Sequence, residues 1–130
     1  MQVRYFVRAE ELPAYSPANH SGTLNRRLVG PSVTGAKQLE VVHGTLQPGE
    51  GAYPHAHPGI EQVCYVLDGA AVAEVAGQRR ELGPGDCCFF TADTLHIFKA
   101  IGDRPAKILV VYSPPYEENP ARVTRNSSAA

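Results

Sequence analysis

The chain has 130 residues, a formal net charge of −1 and a hydrophobic fraction of 43%. This length suits one domain with one core, and the balanced charge argues against nucleic acid or an anionic membrane as the main partner. No apolar run approaches the roughly 20 residues of a membrane-spanning helix, and the first residues lack the pattern of a signal peptide, so we expect a cytoplasmic protein.

Short segments rich in Val, Leu, Tyr and Phe alternate with turn residues, which is typical of β-strands. The 12 glycines and 11 prolines leave little room for a long helix. The window 86–101 contains neither residue type, but its Cys-Cys-Phe-Phe start and its threonines favour strand–turn–strand over helix. The predicted strands are 3–7, 38–46, 62–68, 70–75, 87–90, 96–100 and 107–112. Many short strands joined by turns predict an all-β sandwich or barrel.

Two segments differ from this pattern. Residues 13–31 are polar and loop-like, and we expect an arm that lies over the barrel or across a partner subunit. Its basic pair, Arg26-Arg27, is expected to lie in solvent or to contact another subunit. The alternative is that it neutralises a carboxylate substrate. Residues 113–130 are proline-rich and then polar, which predicts an extension whose last part is disordered. We therefore expect one domain with a core at about 38–112, preceded by an N-terminal strand and arm over 1–37.

The stretch 52–69, AYPHAHPGIEQVCYVLDG, carries the clearest chemical signal. Side chains at i and i+2 of an extended segment share a face, so His55 and His57 project together as two corners of a coordination sphere. Neutral imidazole binds zinc, copper, iron and nickel. A third ligand must come from a neighbouring strand, where Glu61 and Gln62 are candidates on opposite faces, and His96 is the candidate for the fourth.

The remaining histidines and the cysteines carry weaker signals. His20 is interpreted as an ordinary loop residue. His43 lies on a predicted strand, and its side chain faces either the cavity or the solvent. Cys64, Cys87 and Cys88 have no regular spacing, which predicts free thiols and no disulfide framework.

In these residues the chain resembles the cupin family of small β-barrels. The first family motif is glycine, five residues, His-x-His, three or four residues, Glu, six residues and glycine. Gly49, EGAYP and His55-Ala56-His57 match it. The spacing from His57 selects Glu61 as the third ligand, whereas the spacing to Gly69 selects Gln62. Counting the register from the Asp68-Gly69 turn points Gln62 inward and favours it over Glu61.

The second family motif is glycine, five residues, Pro-x-Gly, two residues, His, three residues and Asn. Gly85 and His96 keep their places, whereas Thr91, Asp93 and Ala100 stand where the family has Pro, Gly and Asn. The resemblance covers about residues 38–112. It implies an all-β fold of the cupin type, a double-stranded β-helix or jelly-roll barrel.

The resemblance also implies that His55, His57, Gln62 and His96 hold one divalent metal ion, either iron, manganese, nickel or zinc. The neutral amide of Gln62 would leave the ion's charge of two uncompensated and make it a stronger Lewis acid than a carboxylate would. Tyr53 is the candidate catalytic residue because a phenol near a metal can exchange a proton with a substrate; the alternative is a packed strand residue at the rim. The candidate cavity-lining residues are Cys64, Phe89 or Phe90, and Phe98.

The activity implied by the resemblance is that of a dioxygenase, decarboxylase, isomerase, epimerase or lyase acting on a small polar, carboxylate- or enol-bearing molecule. The alternatives are a non-catalytic small-molecule-binding cupin, whose metal is structural or holds the ligand, and a barrel whose histidines only pack. Small cupins usually pair, and we expect a homodimer to which the N-terminal arm contributes. The outward face carrying Val63, Tyr65 and Leu67 would otherwise be wet.

Overall fold

Two antiparallel sheets make up the computed structural model, which describes residues 2–125. Two short 3-10 turns, Ala9–Glu11 and Pro120–Arg122, accompany them. The strands are β1 (Ala14–Tyr15), β2 (Thr23–Val29), β3 (Glu40–Leu46), β4 (Gly51–Ala56), β5 (Glu61–Asp68), β6 (Ala70–Val75), β7 (Gln78–Leu82), β8 (Cys87–Phe90), β9 (His96–Ile101), β10 (Ala106–Ser113) and β11 (Thr124–Arg125). The predicted all-β class is therefore confirmed.

The sheets bury their facing sides in one core. One sheet has the strand order β1-β2-β3-β10-β5-β8 and the other β11-β4-β9-β6-β7. Burial alternates along β3, β5 and β10, as a half-buried strand requires. The largest buried side chains include Phe90, Leu46 and Ile60. No helix among residues 2–125 is long and apolar enough to cross a membrane.

The strands predicted from the sequence between residue 38 and residue 113 are present, with ends shifted by two residues at most. The window 86–101 forms strand–turn–strand, as predicted. The Asp68-Gly69 turn also forms: Gly69 has a φ of +77°, and a Cβ there would lie 2.5 Å from the backbone oxygen of Pro105. This turn fixes the register of β5 and places Gln62, Cys64 and Val66 inside.

The prediction of a strand at 3–7 is wrong. This segment makes one backbone hydrogen bond outside regular strands, from Arg4 to Thr34, and pairs with no strand among the described residues. Tyr5 and Phe6 are 83% and 89% exposed. Its apolar alternation therefore reflects an exposed surface and not a half-buried strand.

The interpretation of 13–31 as a loop-like arm is also wrong in part. Its second half is β2, which lies between β1 and β3 in the six-stranded sheet. Polar Thr23 and Asn25 are the buried residues at the start of this strand, so the apolar alternation that marks other strands is missing. The edge strand β7 was missed because its sequence, QRREL, is almost wholly polar and exposed.

Both arginines of the basic pair bind other parts of this chain. Arg26 donates from Nη1 to the backbone oxygens of Ala9 and Leu12, which ties the N-terminal segment to β2. Arg27 donates from Nε to Glu40 Oε2 at 2.6 Å. The alternative that this pair neutralises a carboxylate substrate is therefore not supported.

Glu40 joins three parts of the chain. It is 1% exposed, and its Oε2 pairs with Arg27 of β2. Its Oε1 accepts from the backbone N–H groups of Tyr116 and Glu117, at 3.1 and 2.9 Å. Residues 113–125 of the predicted extension are thus held against the barrel. The predicted disorder of the last part concerns residues that include 126–130, which lie outside the described residues.

We expect Glu40→Ala to lower the free energy of unfolding by about 3 kcal/mol, because it leaves a partly buried guanidinium and two backbone N–H groups without their acceptor. Urea unfolding followed by circular dichroism measures this. Glu74→Ala is the control, since Glu74 pairs with Arg79 on the surface and should cost less than about 1 kcal/mol. Equal effects of the two substitutions would contradict the role given to Glu40.

Candidate metal centre

His55, His57 and His96 converge at one end of the barrel, as the spacing predicted. His55 lies on β4, His57 directly follows that strand, and His96 opens the adjacent strand β9 as the Cα partner of His55. All three side chains are buried. Each offers a ligand atom, and these atoms all lie within 4.8 Å of one another. The three histidines can therefore surround one ion.

A β-bulge in β4 sets the direction of His55. Ala52 pairs with Phe98 and His55 with His96, so three steps along β4 span two steps along β9. The extra residue changes the inward–outward alternation, and Ala52 and His55 are both buried. Pro54 lies in the bulge, where its missing N–H breaks the hydrogen-bond ladder at low cost.

The same bulge turns Tyr53 outward. Its side chain is 54% exposed and does not line the buried cavities beside the histidines. Its backbone oxygen contacts the site, because it accepts from the His55 ring. The structure thus does not bring the phenol together with the imidazoles, and a catalytic role for Tyr53 stays a prediction.

Backbone carbonyls orient all three rings. The Nδ1 atoms of His55, His57 and His96 lie 2.7, 2.9 and 3.1 Å from the backbone oxygens of Tyr53, Arg122 and Thr94. A carbonyl only accepts, so Nδ1 carries the proton and Nε2 keeps its lone pair. The Nε2 atoms of His57 and His96 are buried without a hydrogen-bond partner among the described residues. This is the tautomer and the support that a metal-ligating histidine needs.

Burial keeps these rings neutral. Loss of solvent lowers the pKa of His57 to about 4, against a smaller opposing effect of its hydrogen bond to Arg122. Burial, assisted by the nearby His55, lowers the pKa of His96 to about 3. Burial also lowers the pKa of His55. All three imidazoles are therefore unprotonated at pH 7, the form that binds a metal.

Gln62 lines the cavity that contains His55 and His96. Its Nε2 lies 3.5 Å from Cys64 Sγ, and its Oε1 is buried without a hydrogen-bond partner among residues 2–125. The neighbouring Glu61 is exposed on the other face of β5. The arrangement supports Gln62 as the oxygen donor, and its ligation of a metal stays a prediction. Neutral nitrogen donors with one amide oxygen fit a divalent transition metal.

The cavity beside the histidines has a volume of about 20 Å³, and its wall surface is mostly apolar with some polar side chains. Cys64 and Phe98 line it, as predicted, whereas Phe89 is exposed on the outer face. Phe90 is buried and stacks on the His96 ring with a centroid distance of 3.9 Å. The remaining wall residues are Thr23, Asn25, Leu46, Ala52, Ile108, Val110 and Tyr112, together with His20.

His20 lies beside the site, contrary to its interpretation as an ordinary loop residue. It forms a β-bridge with Ala52, and its ring centroid is 5.9 Å from that of His55. With Asn19 and Glu118 it also lines a second cavity, of about 10 Å³, against His55 and His57. The local sequence carries no signal for this position, because the bridge depends on a contact with a strand about 30 residues away. His43, on β3, is half-buried and outside the cluster.

The family model for a cupin domain matches residues 42–112, which is more than half of the chain. The protein belongs to the cupin family. The jelly-roll fold implied by the sequence motifs is thereby confirmed, and the three histidines lie at the ends of the strands that carry those motifs.

Several known proteins are similar to this chain in sequence or in fold. The Tetracenomycin polyketide synthase protein TcmJ of Streptomyces glaucescens is 29% identical over 103 residues, which are 79% of this chain and 69% of TcmJ. The polyketide cyclase RemF from Streptomyces resistomycificus superimposes with a TM-score of 0.74 at 23% identity, over 87% of this chain and 81% of RemF. A cupin sugar phosphate isomerase from Silicibacter pomeroyi has a TM-score of 0.72 at 26% identity, over 85% and 76% of the two chains.

We expect His57→Ala and His96→Ala each to lower the affinity for zinc or nickel by at least about 100-fold, because each removes a donor that no other described residue replaces. The measurement is elemental analysis after reconstitution and dialysis. Both variants should keep the β-sheet circular dichroism spectrum, and the control His43→Ala should keep the metal. Stoichiometric metal in His96→Ala would contradict the assignment.

The metal-free protein should lose stability in acid. Because the pKa values of His57 and His96 lie below the ordinary value of 6.5, the unfolded chain binds protons that the folded chain does not. The free energy of unfolding is therefore expected to fall between about pH 6.5 and pH 4, by about 1.4 kcal/mol per pH unit for each histidine involved. Above this window the two histidines are neutral in both the folded and the unfolded chain, so their contribution to the free energy of unfolding is constant.

Urea unfolding in the presence of EDTA, at several pH values from 7.5 to 4.5, measures this slope. The double substitution of His57 and His96 by Gln should remove most of it. The same slope in the double variant would show that other groups cause the acid sensitivity.

Proposed function

We propose that this protein is a metal-dependent cupin enzyme that acts on a small polyketide-like molecule, in which an enolisable carbonyl lies next to hydroxyl groups. The observation that carries the proposal is the cluster of His55, His57 and His96, whose buried and oriented rings face a cavity with mostly apolar walls. Fold alone does not choose among cupin activities, so the choice depends on the walls of the site.

The charges of the walls limit the substrate. No lysine or arginine lines either cavity beside the histidines in the described part of the chain. A phosphate or carboxylate would therefore find no cationic partner besides a metal ion, which argues against a sugar phosphate as in the Silicibacter relative. An aromatic or enolic guest suits the apolar walls. TcmJ is a polyketide synthase protein and RemF is a polyketide cyclase, which supports this class.

Each part of the site has a function in such a reaction. A divalent ion held by the three histidines and Gln62 would polarise a carbonyl oxygen and make the neighbouring C–H acidic. The apolar walls exclude water and strengthen electrostatic interactions within the site. Tyr112 and Tyr116 lie with their ring centroids 5.4 and 4.4 Å from that of His57, and both line the second cavity beside the histidines.

A second candidate function is a non-catalytic binding module with a structural ion. The small cavity volume favours it, since about 20 Å³ holds little more than one water molecule. Entry of a larger guest requires the walls of the cavity to move. A structural ion would resist chelators, whereas a catalytic ion exchanges and binds small ligands.

The test is hydrogen–deuterium exchange of the acetyl protons of 2,6-dihydroxyacetophenone, followed by NMR with protein loaded with zinc, manganese, nickel or iron(II). Exchange breaks a C–H bond and forms a C–D bond, so it reports enolisation without a redox change. We expect acceleration of at least about 100-fold with one of the metals, equal with and without oxygen, and absent in His96→Ala.

Gln62→Glu provides a matched variant. A carboxylate would hold the ion more tightly and weaken its Lewis acidity, so we expect better metal retention with slower exchange. No acceleration with any of the four metals, together with an ion that resists chelators, would reject the enzyme and favour the binding module.

We also propose that the protein forms a homodimer. Tyr65 and Leu67 on β5 and Phe89 on the neighbouring strand β8 form an exposed apolar face, and Tyr5 and Phe6 extend from the N-terminal segment. Light scattering should give twice the chain mass of 14.0 kDa. The double substitution Tyr5→Ser and Phe6→Ser should weaken the dimer, and a monomeric wild type at micromolar concentration would reject it.

A further inference from the structure

We propose that Asn19, His20 and Glu118 form a hydroxyl-binding subsite beside the metal centre, which selects guests that carry a neutral hydroxyl group near their carbonyl. This inference rests on the proposed function and specifies its substrate. It assigns a role to residues that lie outside the matched cupin domain.

Three polar atoms without partners meet in one cavity. Asn19 Nδ2, His20 Nδ1 and Glu118 Oε2 are each buried without a hydrogen-bond partner among residues 2–125, and the Glu118 carboxylate is otherwise held by the Tyr116 hydroxyl and the backbone of Ala18. All three residues line the cavity of about 10 Å³ that also contacts His55 and His57. Buried polar atoms normally find partners, so a cluster of three in one cavity indicates a polar guest. This volume accepts one group of about the size of a water molecule.

The chemistry of the three atoms favours a hydroxyl group. The Asn19 amide donates and the Glu118 oxygen accepts, and a hydroxyl group both accepts and donates. A carboxylate would offer only acceptors and would face Glu118 without a cationic side chain in the cavity wall. A hydrocarbon group would leave all three atoms unpaired. The subsite therefore distinguishes a hydroxyl group from both alternatives.

The backbone holds the subsite in place. The backbone oxygen of Asn19 accepts from the Tyr53 N–H at 2.8 Å, which ties the segment around Asn19 to the bulged strand β4. Glu118 follows the two residues whose N–H groups bind Glu40. Asn19 and Glu118 have φ values of +62° and +57°. Glu117, next to Glu118, has a φ of +45°, so the left-handed backbone belongs to the turn at 117–118 and to Asn19.

The test is calorimetric titration of the zinc-loaded protein with two probes. 2,6-Dihydroxyacetophenone and 2-hydroxyacetophenone share the carbonyl and one hydroxyl group, and only the first has a second hydroxyl group. We expect wild type to bind the dihydroxy probe about tenfold more tightly, the effect of one good hydrogen bond to a charged group. In Asn19→Gly and Glu118→Gln this ratio should fall below about threefold.

The variants are chosen to keep the fold. Glycine accepts the positive φ of Asn19, and glutamine has the shape of Glu118. Glu117→Gln is the matched control, because the adjacent Glu117 binds Ser32 and Arg27 away from the cavity, and it should keep the tenfold ratio. A third probe, 2-acetyl-3-hydroxybenzoate, should bind wild type more weakly than the monohydroxy probe and should gain affinity in Glu118→Gln.

The outcomes separate the subsite from the proposed function. A ratio near one in wild type, or a ratio unchanged in both variants, would overturn the subsite while binding of the monohydroxy probe still supports the metal centre. Protein that takes up no zinc, or zinc-loaded protein that binds neither probe, would overturn both proposals.

Discussion

The site depends on the contacts between three imidazole rings and three backbone carbonyls. A buried histidine with a free ring could rotate or change tautomer, and it would then present the wrong nitrogen to an ion. In this protein each Nδ1 is bound by an oxygen of the main chain, from Tyr53, Thr94 or Arg122. Two of these oxygens lie two residues before the ring that they hold, so β4 and the turn that leads into β9 orient His55 and His96.

The third oxygen makes the centre depend on the C-terminal segment. Arg122 lies 65 positions from His57 in the sequence, and its segment is held by β11, which pairs with β4. Glu40 holds the same segment at its other end through Tyr116 and Glu117. The buried ion pair of Glu40 thus helps to position a ring to which it makes no direct contact. Burial of the carboxylate is tolerated because three donors satisfy it.

Much of the barrel and the histidine cluster could be predicted from the sequence. His55, His57 and His96 have a spacing that few other arrangements require, and the turn at Gly69 fixes which side of β5 faces inward. The strand β2 was not predicted, because its buried residues Thr23 and Asn25 are polar and remove the apolar alternation on which strand prediction depends. The exposure of Tyr53 escaped because it follows from a bulge, and a one-residue shift in register reverses every later side chain. His20 escaped because only tertiary pairing with Ala52 brings it to the site.

The positions of the two sets of residues in the chain have a consequence for how this fold diversifies. His55, His57 and His96 lie within the matched cupin domain. Asn19, His20 and Glu118 lie in the segments before and after it, and they line a cavity beside two of the histidines. If the proposed subsite selects the guest, substitutions in these flanks change specificity without altering the histidines that would hold the ion. Homologues with the same three histidines should therefore be expected to differ in substrate, and differences in their flanking segments should explain why.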